Sequence, residues 1–158
     1  MIFDFDTRGG IRRVYAIPVK DILRIRNNWT NHTVTPELLN RDGIVEIPSY
    51  AGQNYSFREE HSITDQGDRY NVAITGVIPS NLISHEDIQT LRHGEWLVLH
   101  QDTRGSIRMS GTQLVPLRFT SITDKGSSHA ELNGESFTFS AIESQPSPEC
   151  YIADINCL

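Results

Sequence analysis

Two aspartates stand in nearly identical phrases, and a pair of carboxylates is the first chemistry that this sequence suggests. Asp6 begins Asp-Thr-Arg-Gly-Gly-Ile-Arg, and Asp102 begins Asp-Thr-Arg-Gly-Ser-Ile-Arg. Two facing Asp-Thr loops can share one proton and activate water, the chemistry of acid proteolysis. Here an Arg follows each Asp-Thr, and its positive charge favours two ionised carboxylates over a shared proton. We therefore predict that Asp6 and Asp102 cap turns by accepting backbone N–H groups.

Metal binding through histidine and cysteine is a second chemistry to consider. Residues 129–131 (His-Ala-Glu) and 148–150 (Pro-Glu-Cys) match part of the zinc deaminase signature, which also needs Pro-Cys-x-x-Cys. Cys150 and Cys157 are seven positions apart, so that spacing is missing. His85 and His93 can share one face of a short helix, but no third ligand follows. Serine-hydrolase, Walker and His-Glu-x-x-His motifs are absent too, so we predict no enzyme, metal or cofactor.

Composition predicts one globular domain that folds in a cytoplasm. At 158 residues the chain is long enough to bury a core without disulfides. Its first residues, Met-Ile-Phe-Asp-Phe-Asp, carry two acids where a secretion signal has a basic start. No run approaches the roughly 18 apolar residues of a membrane span, so we expect no membrane partner. We also expect Cys150 and Cys157 to be free thiols rather than a disulfide.

Charge is distributed unevenly along the chain, whose formal net charge is −6. Residues 1–30 hold six Lys or Arg against three acids, whereas residues 31–158 hold eight against seventeen. An acidic body argues against a surface that grips phosphates. The basic first segment can instead dock on the acidic body of a neighbouring copy, a head-to-tail contact that builds rings or stacks. The alternative is a basic pair of strands in solvent.

Repeated turn phrases and alternating apolar residues predict strands. The phrase Ser-Ile-Thr-Asp-x-Gly occurs at residues 62–67 and 121–126, and it suits a tight turn between paired strands. Segments in which apolar and polar residues alternate predict half-buried strands. The apolar run at 96–99 predicts a strand buried on both faces. Residues 19–26 suit either one helical turn or a strand. The predicted strands are residues 2–6, 11–17, 54–63, 69–78, 96–99, 114–123 and 135–142.

One segment has the signals of a helix. Ser84 can cap its N-terminus, with Asp87 three positions on. Ile88 and Leu91 then form an apolar stripe, and Gly94 marks the end. The predicted fold class is therefore all-β, mainly an antiparallel sandwich or barrel, with one short α-helix near residues 84–93.

The domain prediction is one β-rich unit over residues 1–158. Residues 27–43 are polar and rich in turn formers, so we expect an exposed insertion there. Residues 143–158 predict an irregular tail that adds an edge strand to this subunit or to another. Residues 124–134 are polar and connect two well-patterned strands, although a hairpin usually needs about two to five residues. A connection of that length often contacts a neighbour, and the alternative is disorder.

A series of turn and strand motifs runs through the second half of the sequence. Its pattern is an apolar strand, an Asp-Gly turn, a glycine with a Pro-Leu strand, an Asp-x-Gly loop and an aromatic strand. The stretches are Gly94-Glu95-Trp96-Leu97-Val98-Leu99, Asp102-Thr103-Arg104-Gly105-Ser106-Ile107-Arg108, Gly111, Pro116-Leu117-Arg118-Phe119, Thr123-Asp124-Lys125-Gly126 and Asn133-Gly134 to Phe139. This pattern resembles that of small virion structural proteins of tailed bacteriophages. The likeness covers about residues 54–142, and residues 27–43 have no counterpart in that group.

The resemblance implies a tail-tube or head–tail connector subunit, a β-sandwich or barrel whose long loop or hairpin extends to the next ring. Such a protein would be made in the host bacterial cytoplasm and reside in the virion. Its partners would be itself, as a homo-oligomeric ring, and neighbouring virion proteins. DNA would pass without sequence-specific binding, which suits an acidic body. The alternative function is a carbohydrate- or ligand-binding β-sandwich module with Trp29 and Tyr50 as stacking residues, and a third is an accessory enzyme.

Assembly contacts are the site prediction that follows. The long connection and the basic first segment supply the candidates. They are Arg8, Arg12, Arg13, Arg24, Arg26, Asp124, Lys125, His129, Glu131 and Asn133.

Overall fold

The computed structural model describes residues 10–48, 55–124 and 134–151. Within them the chain forms strands, the helix α1 (His85–His93) and a 3-10 turn (Val19–Asp21). The strands are β1 (Ile11–Pro18), β2 (Ile22–Asn28), β3 (Thr33–Leu38), β4 (Val45–Glu46), β5 (Ser56–Thr64), β6 (Gly67–Pro79), β7 (Trp96–Asp102), β8 (Ile107–Ser110), β9 (Arg118–Asp124), β10 (Gly134–Glu143) and β11 (Glu149–Cys150).

These strands form two sheets. Sheet A has seven strands in the order β2-β3-β11-β8-β7-β1-β4, and sheet B has four in the order β5-β6-β10-β9. Sheet A is mixed, because β11 runs parallel to β3. Sheet B is antiparallel throughout. The predicted all-β sandwich with one short helix is confirmed.

The main core fills the space between the two sheets. Three rings of sheet B, Phe119, Phe137 and Phe139, pack with centroids 5.1 to 5.9 Å apart. Val14 and Val98 of sheet A belong to the same buried cluster. The alternation predicted for residues 135–142 is confirmed, since the phenylalanines point inward and the intervening Ser and Thr side chains do not.

Sheet A encloses a second core on its other face. The buried members of this cluster all lie on strands of sheet A, so the sheet must curl around them. Consecutive residues of β7 therefore face different cores. Trp96 and Val98 face the main core, whereas Leu97 and Leu99 face the second. The strand buried on both faces is confirmed.

Residues 27–43 were expected to form an exposed insertion, and the structure shows much of a strand pair there, with many exposed side chains. β2 and β3 form an antiparallel hairpin that runs from Ile22 opposite Leu38 to Asn28 opposite Thr33. Val34 on this hairpin is buried in the second core. Most other side chains of β2 and β3 are only partly buried or exposed, so the segment is polar despite being a strand pair. Residues 19–26 contain both predicted alternatives, the 3-10 turn followed by the start of β2.

Helix α1 follows its predicted boundaries. The Ser84 Oγ accepts the Asp87 N–H at 3.2 Å, and Ile88 and Leu91 are buried. Gly94 ends the helix in an extended conformation rather than a left-handed one. A Cβ at Gly94 would lie 2.6 Å from the indole ring of Trp96, so close packing explains the glycine there.

Other strand predictions hold with shifted ends. The strands predicted at residues 11–17, 54–63 and 69–78 correspond to β1, β5 and β6. The one predicted at 114–123 begins only at Arg118. Residues 112–115 form a turn instead, in which the Thr112 N–H donates to the Val115 carbonyl and the Val115 N–H donates to the Thr112 Oγ1. The strand predicted at residues 2–6 lies outside the described residues.

The described part of the tail contributes an interior strand rather than an edge strand, and residues 152–158 lie outside the described residues. β11 lies between β3 and β8, with Cys150 opposite Val34 and with Glu149 opposite both Thr33 and Arg108. The curl of sheet A leaves a place between β3 and β8, and β11 fills it. Among the described strands, β11 alone joins the β2–β3 hairpin to the rest of sheet A.

Candidate functional site

A chain of buried polar side chains crosses one end of the sandwich. His100 on β7 has its Nε2 2.9 Å from the Ser110 Oγ on β8, and that oxygen is 2.9 Å from the Ser147 Oγ. The three residues are 1%, 0% and 4% exposed. Buried polar groups need partners, and a hydroxyl can donate and accept at once. Each of these side chains therefore provides a hydrogen-bond partner for the next one.

Two carboxylates connect residues 143–151, which we call the strap, to the body of the protein. Glu59 Oε2 on β5 accepts the Ser147 N–H at 2.9 Å. Glu143 Oε1, where the strap leaves β10, accepts the Gly111 N–H at 2.7 Å. The first bond ties the strap to sheet B, and the second ties the end of sheet B to the segment that follows β8.

His100 is neutral at physiological pH in this environment. The pKa of His100 is lowered to about 4, chiefly by burial and also by the nearby Arg108, while the charge of Asp102 opposes the change. The ring of Phe57 stacks on the imidazole with centroids 4.4 Å apart. The imidazole is therefore a hydrogen-bonding part of the core.

A pocket of about 370 Å³ opens between the strap, the β2–β3 hairpin and the end of β8. We call it the strap pocket. Its walls are largely apolar and include Ile25, Val34 and Met109. Glu143 is the charged side chain that lines it. Burial raises the pKa of Glu143, the Gly111 N–H opposes that change, and the charge of Glu59 adds to it.

The pair of His100 and Ser110 has the distance of a general base and a nucleophile. However, Ser110 is fully buried, and neither residue lines the strap pocket. The hydrogen-bonded chain therefore holds the strap in place, and the strap pocket is the part of this region that is open to a ligand.

The basic residues predicted as assembly contacts lie on two different parts of sheet A. Arg13 Nε on β1 is 3.7 Å from Glu46 Oε1, and its guanidinium lies 6.0 Å from the centre of the Tyr15 ring. On β2, Arg24 Nε is 2.5 Å and Arg26 Nε is 3.6 Å from the carboxylate of Glu37. The Arg24 hydrogen bond lowers the pKa of Glu37. These arginines thus have acidic partners within their own chain.

The other predicted contacts are placed only in part. Arg12 is exposed on β1. The backbone of Asp124 pairs with Gly134 at the end of β9, so residues 125–133 connect β9 to β10. Arg8, Lys125, His129, Glu131 and Asn133 lie outside the described residues.

Asp102 caps a turn, as predicted. Its Oδ1 accepts the N–H of Arg104 at 2.8 Å and that of Ser106 at 3.0 Å. Gly105 completes the turn with φ +90°, a conformation that glycine adopts at low cost. Asp6 lies outside the described residues, so its matching role stays a prediction.

Cysteine and histidine do not gather into a metal site in the part of the chain that the structure describes. Cys150 is a buried free thiol whose pKa burial raises to about 12, and Cys157 lies beyond the described part. Trp29, one of the two predicted carbohydrate-stacking residues, is 81% exposed in the turn between β2 and β3. Tyr50, the other, is not among the described residues.

The buried polar chain and the strap pocket were missed by sequence reasoning. One signal was available at His100, which directly follows the apolar run of β7 and so had to enter a core. Its partners carry no such signal. Ser110 and Ser147 are 37 positions apart, and Glu59 and Ser147 are 88 apart.

Comparison with protein-family models, curated proteins and solved structures finds no match for this chain. The helix in the described residues falls well short of the length and apolar character needed to cross a membrane.

Proposed function

We propose that this protein is a non-enzymatic structural subunit of a tailed-phage virion. In this proposal it is a tail or head–tail connector component, made in the host cytoplasm, that forms homo-oligomeric rings around the DNA passage and contacts neighbouring virion proteins. The family resemblance over residues 54–142 is its starting point. The structural observation that supports it most strongly is the β5–β6 hairpin, which projects from sheet B.

The β5–β6 hairpin extends beyond the strand that supports it. The pairing of β10 with β6 stops at Glu143 opposite Tyr70, so residues 62–69 form a two-stranded tip. The side chain of Ile63 in this tip is 80% exposed. A two-stranded hairpin in water is only marginally stable without a packed face. Contact with another subunit would bury this tip, which supports an assembly role.

The outer face of sheet B supports the same proposal. Many of its side chains are small or hydroxylated, such as the exposed Ser140 on β10 and the half-buried Thr75 on β6. The same face also carries the charged residues Arg58, Glu60 and Arg118. Three aliphatic residues are also exposed on this face. They are Val77, Ile122 and Ile142, at 38%, 72% and 53%. Exposed apolar groups on a broad sheet face are typical of protein contacts.

Charge supports passage of DNA without gripping it. Residues 31–158 carry nine more acids than Lys and Arg, which disfavours binding of phosphates. The arginines Arg13, Arg24 and Arg26 have acidic partners in their own chain. A head-to-tail contact through them would compete with these partners, whose attraction is weakened by solvent screening.

Native mass spectrometry and negative-stain microscopy at high protein concentration test the proposal. We expect rings or stacked rings for the parent protein and monomers for Ile63→Glu. Leu39→Glu is the matched control, because Leu39 is 65% exposed but lies away from the hairpin tip. A parent protein that stays monomeric in low and high salt would contradict the proposal.

The connection at residues 125–133 stays a predicted assembly contact. Replacing it with Asp-Gly should leave a folded monomer that fails to assemble. If this variant forms rings as readily as the parent protein, residues 125–133 are not part of the interface. That result would not bear on the hairpin tip.

A carbohydrate-binding module is the second candidate, favoured by the exposed indole of Trp29. A glycan array followed by titration of any hit would test it. Loss of binding in Trp29→Ala, together with a monomeric parent protein, would favour this candidate over the virion subunit.

A further inference from the structure

The strap pocket combines an apolar wall with one carboxylate. Ile25 and Val34 come from the β2–β3 hairpin, Met109 comes from β8, and Pro146 comes from the strap. The volume of about 370 Å³ lies within the range of small-ligand sites. Glu143 is the charged group that lines the pocket, so it decides which ligand charge the pocket favours.

Glu143 has no ion-pair partner among the described residues, whose salt bridges involve other acids. Its one hydrogen bond given by the structure comes from the backbone of Gly111. The charged group that acts on it most directly is Glu59, which has the same sign. A partly buried carboxylate beside a like charge is poorly compensated. A ligand that brings a positive charge would correct this, whereas a neutral or anionic ligand would not.

We propose that the strap pocket binds a cationic head on an apolar stem, an alkylammonium or alkylguanidinium group. The head would pair with Glu143, and the stem would lie along Ile25, Val34 and Met109. Asn27 and Gln145 also line the pocket, and a side-chain amide offers an oxygen that can accept a hydrogen bond from the head. The inference goes beyond the proposed virion role and does not depend on it.

Two sources can supply this chemistry, a free small amine and a Lys or Arg side chain of a second copy of this chain. NMR separates them, with the Met109 methyl group and the Gly111 amide as reporters. A free amine predicts reporter shifts that depend only on added ligand. A second copy predicts shifts that also depend on protein concentration in the absence of ligand.

The experiment titrates the full chain with n-butylammonium and n-butylguanidinium, and with n-butanol as the uncharged probe. We expect saturable shifts of both reporters with the two cations and at least tenfold weaker binding of butanol. Glu143→Gln keeps an acceptor for Gly111 and should weaken cation binding at least tenfold. Glu60→Gln, at an exposed carboxylate outside the pocket, should leave it unchanged.

Butanol binding as tight as the cations, or the absence of saturable shifts at both reporters, overturns the proposal. The comparison of butanol with the cations uses the unmodified protein, so it decides the question even when Glu143→Gln fails to fold. Unchanged cation binding by a folded Glu143→Gln variant also overturns it.

Discussion

The indole Nε1–H of Trp96 donates a hydrogen bond of 2.9 Å to the carbonyl oxygen of Leu91. This carbonyl belongs to the last turn of α1, where the helix leaves its carbonyl groups without intrahelical partners. Trp96 begins β7, so the bond joins the end of the helix to an interior strand of sheet A. Gly94 lies between the two residues in sequence and leaves room for the ring.

Trp96→Phe should lower the free energy of unfolding by about 1–3 kcal/mol, because it leaves the buried Leu91 carbonyl without its donor and removes part of a buried ring. Urea denaturation measures this. Trp29→Phe is the matched control, since Trp29 is 81% exposed, and it should change stability by less than about 0.5 kcal/mol. Equal effects of the two substitutions would contradict the role given to the hydrogen bond.

Asp102→Ala should lower stability by about 0.5–2 kcal/mol, by analogy with helix caps, because two backbone N–H groups of the turn lose their acceptor. Asp102→Asn keeps an oxygen at the same place and should cost little. Thermal unfolding of the two variants checks the difference. Peptidase activity that is present in the parent and lost in Asp102→Asn would instead revive the carboxylate-pair interpretation.

Stability should fall as the pH drops from 6.5 towards 4, in part because of His100. The pKa of His100 is about 4 in the folded chain and about 6.5 when unfolded, so the unfolded state binds the extra proton in this window. The full effect of a shift of this size is about 3 kcal/mol, present above pH 6.5 and lost by pH 4.

Urea denaturation at pH 4.5 and 7.5 tests the His100 prediction. His100→Gln should show a smaller loss of stability between the two pH values than the parent does. His61→Gln removes an exposed histidine instead of a buried one, so it controls for the loss of one histidine from the chain. Identical pH dependence in all three proteins would show that His100 does not contribute.

Ser147→Ala should loosen the strap without unfolding the protein. The substitution removes the Ser110–Ser147 hydrogen bond but keeps the Ser147 N–H for Glu59, so a cost of about 0.5–1.5 kcal/mol is expected. Hydrogen exchange is the sensitive measurement, because the Met109 N–H donates to Pro148 O of the strap. Faster exchange at Met109 with little change in the Phe139 amide would support a local effect, whereas equal acceleration at both would indicate global destabilisation.

The parts of the fold that were predictable depend on local pattern. The alternation around Phe137 and Phe139, the Ser84 cap and the Asp102 turn are each decided by neighbours within a few positions. The β2–β3 hairpin was not predictable in this way, because its buried side chains, Ile22, Val34 and Pro36, stand among residues that are only partly buried or exposed. Partly exposed strands lack the apolar periodicity on which the prediction rests.

The candidate site could not be predicted because it depends on contacts between distant segments. Ser147 lies next to Ser110 and Glu59 only after β11 has entered sheet A and β5 has joined sheet B. β11 itself has two residues, too few for any periodic signal. Its conformation is set by the open backbone groups of β3 and β8 rather than by its own sequence.

The interior position of β11 sets an order of events during synthesis. The β2–β3 hairpin is complete at Leu38, but the strand that joins it to sheet A ends at Cys150. At about 5–20 residues per second, a ribosome needs on the order of ten seconds to bridge that interval. During this time the edge of β3 has no strand beside it, and such an edge can pair with another nascent chain. When many nascent copies of this chain are close together, we therefore expect aggregation or strand exchange at β3 until the last residues of sheet A emerge.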